Sequence, residues 1–300
     1  MKRYDPSAIG SDIARSRRQY LARRLGALVV RLLRLNSGGF LTTEIVQQIA
    51  PVCTIPTAFG VMRCRGGHGR LRWRALTFHT EEPETVKWLE TIGADGFLWD
   101  IGANVGLYAI YAARYGGCRV LAVEPEAQNF ALLIENIVLN GVQDLVIAAN
   151  LAITDEFGIG KLRVHALTKS GAYNQFSRLA GLDRTPRTPE GGTGIEQVQI
   201  GLSLDDLVKK FGYPCPTHIK VDVDGNEPEI IAGGSRVLQE PGCRSVLIEV
   251  QRNDPAHLAM VDRLKHWGFT RVSERSNWES RANREREKEH PAVNMIFVKM

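Results

Sequence analysis

Residues 97–114 constrain the fold of this chain more than any other part of its sequence. They begin with the apolar segment Phe-Leu-Trp-Asp-Ile, continue through a turn that contains Gly102 and Gly106, and end in a segment of helical composition. Glycine lets a backbone approach a ligand closely, and the first turn of a helix has free N–H groups. A strand, a small-residue turn and a helix in this order predict a site for a nucleotide-like ligand.

The spacing within this turn distinguishes two kinds of nucleotide site. Dinucleotide sites have glycines in the pattern G-x-G-x-x-G. Here Gly102 and Gly106 are four residues apart, and Asp100 stands two residues before the first. A carboxylate at this position balances an ammonium or sulfonium group, whereas a dinucleotide has little use for it. The segment resembles motif I of class I S-adenosylmethionine-dependent methyltransferases, and a Rossmann-like NAD-binding oxidoreductase is the alternative.

Strands alternate with helices from residue 97 onward, which favours an α/β fold with a parallel sheet and crossover helices. Further strands are predicted over residues 119–123, 144–149, 217–223, 245–250, 269–272 and 293–298, and helices over 84–92, 127–140 and 255–266. Less regular segments are predicted as short strands over 58–62 and 71–79, an antiparallel pair from 161–165, a long loop over 168–194, a strand over 198–202 before a helix starting at Ser203, and a solvated loop over 274–290.

Acids stand at the ends of several predicted strands: Asp100, Glu124, Asp222 and Glu249. In an open parallel sheet, ligands bind outside the carboxyl ends of the strands, so these acids are expected on one rim. Glu124 lies 18 residues beyond Gly106, where a carboxylate can accept both hydroxyl hydrogens of a ribose. That feature fits NAD and the methyl donor equally well.

The acids near residue 222 are the candidate catalytic residues. Methyl transfer to a hydroxyl requires a base within hydrogen-bond reach, and Asp222, Asp224 and Glu227 could each serve. His218 lies nearer the middle of the strand, so we expect it to be packed and hydrogen-bonded. Lys220 shares a strand face with Asp222, and an ion pair with Glu249 is expected for it.

Three motifs together are similar to those of the FkbM family of methyltransferases. They are the segment from Phe97 to Gly106, then Val-Glu-Pro at 123–125 with Asn129 in the following helix, and Ile-Lys-Val-Asp-Val-Asp-Gly-Asn-Glu at 219–227. The resemblance implies a Rossmann-like class I methyltransferase fold, with a mostly parallel seven-stranded sheet whose last strand is antiparallel and helices on both faces. It also implies S-adenosylmethionine as cofactor and O-methylation of sugar or polyketide hydroxyls.

The same resemblance implies which residues bind the cofactor. Asp100 to Gly106 would hold the methionine end, Glu124 the ribose, and Ala152 would lie near the adenine. The full set is Asp100, Gly102, Ala103, Asn104, Val105, Gly106, Glu124, Pro125, Asn129 and Ala152. The family usually has Glu where this chain has Asp224 and a bulky apolar residue where it has Asn226, so the acceptor is less closely implied than the cofactor.

Charge is distributed unevenly along the chain. Residues 1–35 contain nine Lys and Arg against two Asp and Glu, whereas the remaining residues contain 29 against 31. The body therefore has no electrostatic footprint for nucleic acid, and RNA or protein is the alternative class of acceptor. Residues 12–35 predict an amphipathic helix that either contacts a membrane surface or packs on the catalytic domain.

The chain is predicted to have three parts: a basic amphipathic N-terminal helix at 1–36, an accessory segment at 37–82 and a methyltransferase domain at 83–300. Five scattered cysteines indicate buried thiols in a cytoplasmic protein. Cys64 and His68 have a ligand-like spacing without a second pair, so no metal is expected. A small molecule or glycan is the expected acceptor. A noncatalytic membrane-associated binding module with this fold is a further alternative, and the acids on the rim argue against it.

Overall fold

The computed structural model describes residues 52–65, 69–164, 175–178, 195–274 and 292–299, together with Arg24, Leu25 and Leu28. The chain divides into two compact units, Met1–Pro51 and Val52–Met300. In the first unit the three described residues are helical and exposed. The rest of the helix predicted over 12–35, and nearly all of the loop predicted over 274–290, lie outside the described residues.

A seven-stranded sheet forms the centre of the second unit, in the order β12-β13-β11-β10-β3-β4-β5. The neighbouring pairs from β11 to β5 are parallel, and the final strand β13 runs antiparallel to both β11 and β12. This confirms the predicted fold class. The strands are β3 (Phe97–Ile101), β4 (Arg119–Val123), β5 (Val146–Ala149), β10 (His218–Val221), β11 (Ser245–Gln251), β12 (Phe269–Glu274) and β13 (Ala292–Lys299).

Helices cover both faces of this sheet, as predicted. One face carries α1 (Gly69–Glu81), α2 (Pro83–Leu89), α3 (Leu107–Gly116) and α4 (Ala127–Leu139). The other carries α5 (Leu204–Lys209), α6 (Glu227–Ala232), α7 (Ser235–Gln239) and α8 (Pro255–His266). No helix within the described ranges is both long and apolar enough to cross a bilayer.

The alternation of side chains along β3 shows how the sheet serves both layers. Phe97, Trp99 and Ile101 pack into the core on the side of α5 to α8, whereas Leu98 packs on the side of α1 to α4. Successive side chains of a strand point to opposite faces. Asp100 therefore points to the side of α1 to α4, and that placement determines which helices enclose the site.

A smaller four-stranded sheet, in the order β6-β9-β7-β8, stands beside the main sheet. Its strands are β6 (Ala152–Ile153), β7 (Gly158–Val164), β8 (Gln175–Arg178) and β9 (Ile195–Leu202). The antiparallel pairs that β7 makes with β8 and β9 confirm the predicted pair. The prediction of an uninterrupted loop over 168–194 was wrong, because β8 lies within it. Ser203 caps α5 with a capping box, as expected.

The segment predicted as a strand over 71–79 is a helix, α1. Leu71, Ala75 and Phe78 are buried at steps of four and three residues, the period of a helix face. The preceding hairpin, β1 (Val52–Thr57) with β2 (Gly60–Arg65), replaces the strand predicted over 58–62. These elements share one hydrophobic cluster with the sheet residue Leu98, so the described part of the accessory segment packs into the main core.

Candidate functional site

A cavity of about 560 Å³, here called the main cavity, opens at the carboxyl ends of β3 and β10. Three segments enclose it: helix α1 with the residues that follow it, the turn between β3 and α3, and the ends of β10 and β11. The lining residues are Trp73, Arg74, Thr77, Phe78, Glu81, Glu82, Gly102, Ala103, Asn104, Val105, Leu107, Tyr108, Lys220, Asp222, Asp224 and Glu249.

The backbone N–H groups of the turn between β3 and α3 all donate hydrogen bonds within the protein. The hydrogen bonds are Gly102 N to Val123 O (2.9 Å), Ala103 N to Val123 O (2.9 Å), Asn104 N to Glu124 Oε2 (2.8 Å), Val105 N to Asn104 Oδ1 (3.0 Å) and Gly106 N to Ala103 O (2.8 Å). A pyrophosphate would need several of these N–H groups. Because all five already have acceptors, the turn is poorly suited to a dinucleotide.

The glycines of this turn are required by the protein's own packing. Gly102 has φ +82°, and a Cβ there would lie 1.9 Å from the carbonyl oxygen of Asp222. Gly106 has φ +86°, and its Cβ would lie 2.4 Å from Leu133 Cδ1. Side chains other than glycine are strained at such φ values. The sequence pattern correctly predicted that these positions need glycine. The prediction was that a ligand approaches the backbone there, whereas in the structure another part of the chain does.

Lys220 is the centre of a buried ion cluster on the floor of the main cavity. Its Nζ lies 2.9 Å from Asp222 Oδ2 and 3.7 Å from Asp100 Oδ1. Lys220 and Asp100 are each 1% exposed, and β10 pairs with β3 so that the two residues stand opposite each other. The predicted partner Glu249 was wrong. Lys220 stands opposite Leu247 on β11, which places Glu249 two residues further along.

The cluster favours the charged forms of Lys220 and Asp222. Burial disfavours the charge on Lys220, but the attraction of Asp222 and Asp100 outweighs it and raises the pKa of the lysine. Burial also disfavours the Asp222 carboxylate, yet Lys220 and then Arg74 lower its pKa. Burial raises the pKa of Asp100, against the attraction of Lys220. Both carboxylate oxygens of Asp100 are buried without a hydrogen bond from the described residues.

Glu249 presents a different kind of carboxylate to the main cavity. Burial, followed by the neighbouring charge of Asp222, raises the pKa of Glu249 to about 8. No described residue hydrogen-bonds or ion-pairs with its carboxylate. A carboxylate that titrates near neutral pH and has no partner is a suitable proton acceptor. Glu249 was predicted to lie on the rim, but it was not among the predicted catalytic residues.

Of the three predicted catalytic residues, the structure brings two to the main cavity. Asp222 and Asp224 line it, and Asp224 has φ +61°. Glu227 is 0% exposed and does not line it. Its Oε1 accepts hydrogen bonds from Val223 N at 3.0 Å and Gly225 N at 3.3 Å. Glu227 therefore holds the turn that carries the two aspartates, and burial raises its pKa to about 7.

The predicted cofactor residues fall into three groups. Gly102, Ala103, Asn104 and Val105 line the main cavity. Pro125 and Ala152, with Gly102 again, line a second cavity of about 30 Å³, here called the minor cavity, which Phe176 also borders. This volume is close to that of one water molecule. Asp100, Gly106, Glu124 and Asn129 line neither cavity.

Glu124, predicted to hold a ribose, is 5% exposed and is engaged by the backbone. Its Oε2 accepts from Asn104 N at 2.8 Å and its Oε1 from Glu126 N at 3.0 Å. Burial raises its pKa to about 7, and these bonds together with the Asn129 side chain oppose that rise. In this structure Glu124 joins the turn after β3 to the start of α4, and its contact with a ribose stays a prediction.

Sequence patterns missed the contribution of α1 to the main cavity. Arg74, Thr77, Phe78 and Glu81 follow one another at steps of three, one and three residues, which places them on one side of a helix. The helical period of Leu71, Ala75 and Phe78 was the signal that could have revealed this. Within the described residues, no group of three or more His, Cys, Asp or Glu side chains could hold a metal ion.

Comparisons with known proteins agree with this arrangement. Residues 100–271 match the model of the methyltransferase FkbM domain. The hexuronic acid methyltransferase AglP of Haloferax volcanii is 26% identical over 178 residues, covering 59% of this chain and 65% of the relative. The methyltransferase sdnD of Sordaria araneosa is 24% identical over 210 residues, covering 63% of this chain and 80% of the relative.

Among solved structures, the methyltransferase FkbM of Methylobacillus flagellatus KT matches with a TM-score of 0.46 and 13% identity, over 76% of this chain and 53% of that chain. The chain thus spans 65% of the Haloferax relative's length and about half of this solved chain. The family match covers more than half of the sequence and includes the motifs at 100–106, 123–129 and 219–227. The chain belongs to the family of the methyltransferase FkbM domain.

Proposed function

We propose that this protein is an S-adenosylmethionine-dependent O-methyltransferase whose acceptor is a hydroxyl of a saccharide, a glycolipid or a secondary metabolite. The observation that carries the proposal is the contrast between the turn after β3, whose N–H groups are all engaged, and the main cavity, whose described lining includes five carboxylates. They are Glu81, Glu82, Asp222, Asp224 and Glu249. A cavity of this kind suits a ligand with cationic groups better than a pyrophosphate.

The residues present fit the methionine end of the cofactor. Its ammonium and sulfonium groups match the excess of carboxylates, and both buried oxygens of Asp100, close to the turn, lack hydrogen bonds from the described residues. The minor cavity, with its apolar lining beside Ala152, is where the adenine would enter, and because its volume is small, some of its lining side chains would have to move. The cofactor supplies an electrophilic methyl group.

The chain's own residues would then position the acceptor and remove its proton. On methylation the acceptor hydroxyl would lose its proton to a carboxylate in the main cavity, and the cofactor would leave as S-adenosylhomocysteine. Glu249 is the carboxylate whose pKa suits this task. Asp222 stays ionised beside Lys220 and is suited to accept a hydrogen bond from the acceptor.

The choice of a saccharide acceptor draws on two observations. The exposed ring of Trp73, 45% accessible, lies at the wall of the main cavity, and aromatic rings offer an apolar face on which a sugar ring can stack. The Haloferax relative is named for methylation of a hexuronic acid. Carboxylates along the opposite wall can accept hydrogen bonds from sugar hydroxyls.

Calorimetry followed by a transfer assay tests the proposal. S-adenosylmethionine and S-adenosylhomocysteine should bind the purified full-length chain, and NAD should not. With methyl-labelled cofactor, label should move to a member of a panel of saccharides, with release of S-adenosylhomocysteine. Binding of NAD without either sulfur compound would refute the proposed cofactor. Release of methylthioadenosine would indicate transfer of the aminocarboxypropyl group instead, the group named for a relative from Pyrococcus horikoshii that is 34% identical over 165 residues.

A further inference from the structure

Helix α1 brings a guanidinium group to the wall of the main cavity. Arg74 is partly buried and lines the cavity together with Thr77 and Phe78 of the next turn. Its neighbour Arg72, on the same helix, is exposed and does not line it. The placement of Arg74 therefore reflects the face of the helix on which it stands.

Arg74 has no partner among the described residues. Lys220, the other cation in the described lining of the main cavity, is engaged by Asp222 and Asp100. No described residue ion-pairs or hydrogen-bonds with Arg74, and its charge acts on the cavity from a distance by lowering the pKa of Asp222. An arginine fork fits a planar carboxylate with two parallel hydrogen bonds.

We infer that Arg74 is the carboxylate-binding residue of the main cavity, for a carboxylate of either the cofactor's methionine moiety or an acidic sugar acceptor. The inference rests on the proposed function for these two ligands. The cofactor has one anionic group beside two cationic groups, so a cavity whose described lining has several carboxylates and one guanidinium without a described partner is complementary to it. The Haloferax relative, named for a hexuronic acid, gives the second source.

The test compares a ligand that has the amino-acid end of the cofactor with one that does not. S-adenosylhomocysteine has the carboxylate and the ammonium group of that end, and methylthioadenosine lacks both; a guanidinium group can attract only the carboxylate. Affinities are measured by calorimetry for the wild type, Arg74→Gln, Arg74→Lys and the control Arg72→Gln. If the carboxylate belongs to the cofactor, Arg74→Gln should weaken the binding of S-adenosylhomocysteine about 10- to 100-fold and leave the affinity for methylthioadenosine unchanged. Arg74→Lys should lie between, because it keeps the charge and loses the fork.

The second arm tests the acceptor. Sodium glucuronate, and glucose as its uncharged counterpart, are titrated into the complex with S-adenosylhomocysteine. If the carboxylate is the acceptor's, Arg74→Gln should abolish the preference for glucuronate while binding of S-adenosylhomocysteine is unchanged.

Unchanged affinity for every ligand in Arg74→Gln would overturn the inference, and so would an equal loss in Arg72→Gln. A wild type that fails to bind S-adenosylhomocysteine would refute the proposed function instead, and glucuronate binding alone would then decide the role of Arg74.

Discussion

Strand β10 carries buried polar side chains at both ends. Uncharged hydrogen-bond partners surround the one at the amino end, and charged partners surround the one at the carboxyl end. At the amino end, His218 Nδ1 lies 2.7 Å from Ser245 Oγ, which also accepts a hydrogen bond from Trp88 Nε1 at 2.9 Å. These partners are uncharged, and burial lowers the pKa of His218 to about 4. At the carboxyl end, Lys220 stays charged between Asp222 and Asp100.

The difference separates a structural role from a functional one. The network around His218 joins α2, β10 and β11, and its short neutral hydrogen bonds leave little to gain from a ligand. The cluster around Lys220 is incomplete, because both oxygens of Asp100 lack hydrogen bonds and Glu249 has no partner among the described residues. Polar groups that are held in place with unused hydrogen-bonding capacity can bind and polarise a ligand with little rearrangement.

Removing the charge of Lys220 should have the largest effect on the ion cluster at the carboxyl end of β10. In Lys220→Met the stem is kept, but Asp100 and Asp222 lose their countercharge. The free energy of unfolding should fall by about 3–5 kcal/mol, the usual effect of removing one partner from a buried pair. Denaturant unfolding measures the loss, and Lys209→Met, at an exposed lysine of α5, is the control. A loss below about 1 kcal/mol would show that the cluster does not contribute to stability.

Glu249 tests whether the charged end performs chemistry. Glu249→Gln keeps the shape of the side chain and removes the base, so turnover should fall about 100-fold or more. Wild-type turnover should rise as pH passes about 8, where Glu249 loses its proton, and that rise should be absent from the variant. The control Glu82→Gln removes another carboxylate from the same cavity.

Binding of S-adenosylhomocysteine at pH 7 should stay within a few-fold in Glu249→Gln, because the side chain of Glu249 is mostly protonated there in the wild type as well. Full turnover in Glu249→Gln would return the role of base to the predicted candidates Asp222 and Asp224, both of which line the main cavity.

Sequence patterns predicted the two ends of β10 unequally. Apolar strands that stop at acids predicted the parallel sheet and the positions of Asp100 and Asp222, because strand alternation is a local property. His218 was correctly predicted to be packed and hydrogen-bonded, but it is the first residue of β10 and does not lie near the middle of the strand. The partner of Lys220 was predicted wrongly, since the forward reach of a lysine and the register between strands decide which acid it meets.

Helix α1 was missed for a related reason. Residues 71–79 fit a strand when Leu71, Trp73 and Ala75 are read as alternating, and a helix when Leu71, Ala75 and Phe78 are read at helical spacing. Packing against the sheet and the hairpin selects the helix, and such long-range contacts are not visible in a short window. The wall of the main cavity that contains Arg74 could therefore not be predicted.

His218, at the amino end of β10, should make the free energy of unfolding depend on pH. Because burial lowers the pKa of His218 from 6.5 to about 4 in the folded state, only the unfolded chain takes up a proton there between these values. The contribution of neutral His218 to the free energy of unfolding is therefore complete above pH 6.5. It is lost as the pH falls towards 4, by roughly 2 kcal/mol at pH 4.5.

The measurement is the difference between the wild type and His218→Asn, which keeps a short polar side chain and does not titrate. Their gap in unfolding free energy should shrink as the pH falls from 7.5 to 4.5, and a gap that stays constant would contradict a neutral His218. Taking the difference removes the contributions of Glu124 and Glu227, whose pKa values are raised and which therefore act in the opposite direction.

The smallest expected effect tests whether the neutral network is saturated. Trp88→Phe keeps a benzene ring in the core but removes the hydrogen bond to Ser245 and the volume of the pyrrole ring, so the unfolding free energy should fall by about 1–2 kcal/mol. Trp73→Phe, at a tryptophan that is 45% exposed, is the matched control and should stay within about 0.5 kcal/mol of the wild type. Ser245→Ala should cost more than Trp88→Phe, because it leaves both the Trp88 N–H and His218 Nδ1 buried without a partner. Equal losses of unfolding free energy in Trp88→Phe and Ser245→Ala would mean that the hydrogen bond between Ser245 and His218 contributes nothing to stability. The polar groups at the amino end of β10 would then be as poorly satisfied as those at its carboxyl end.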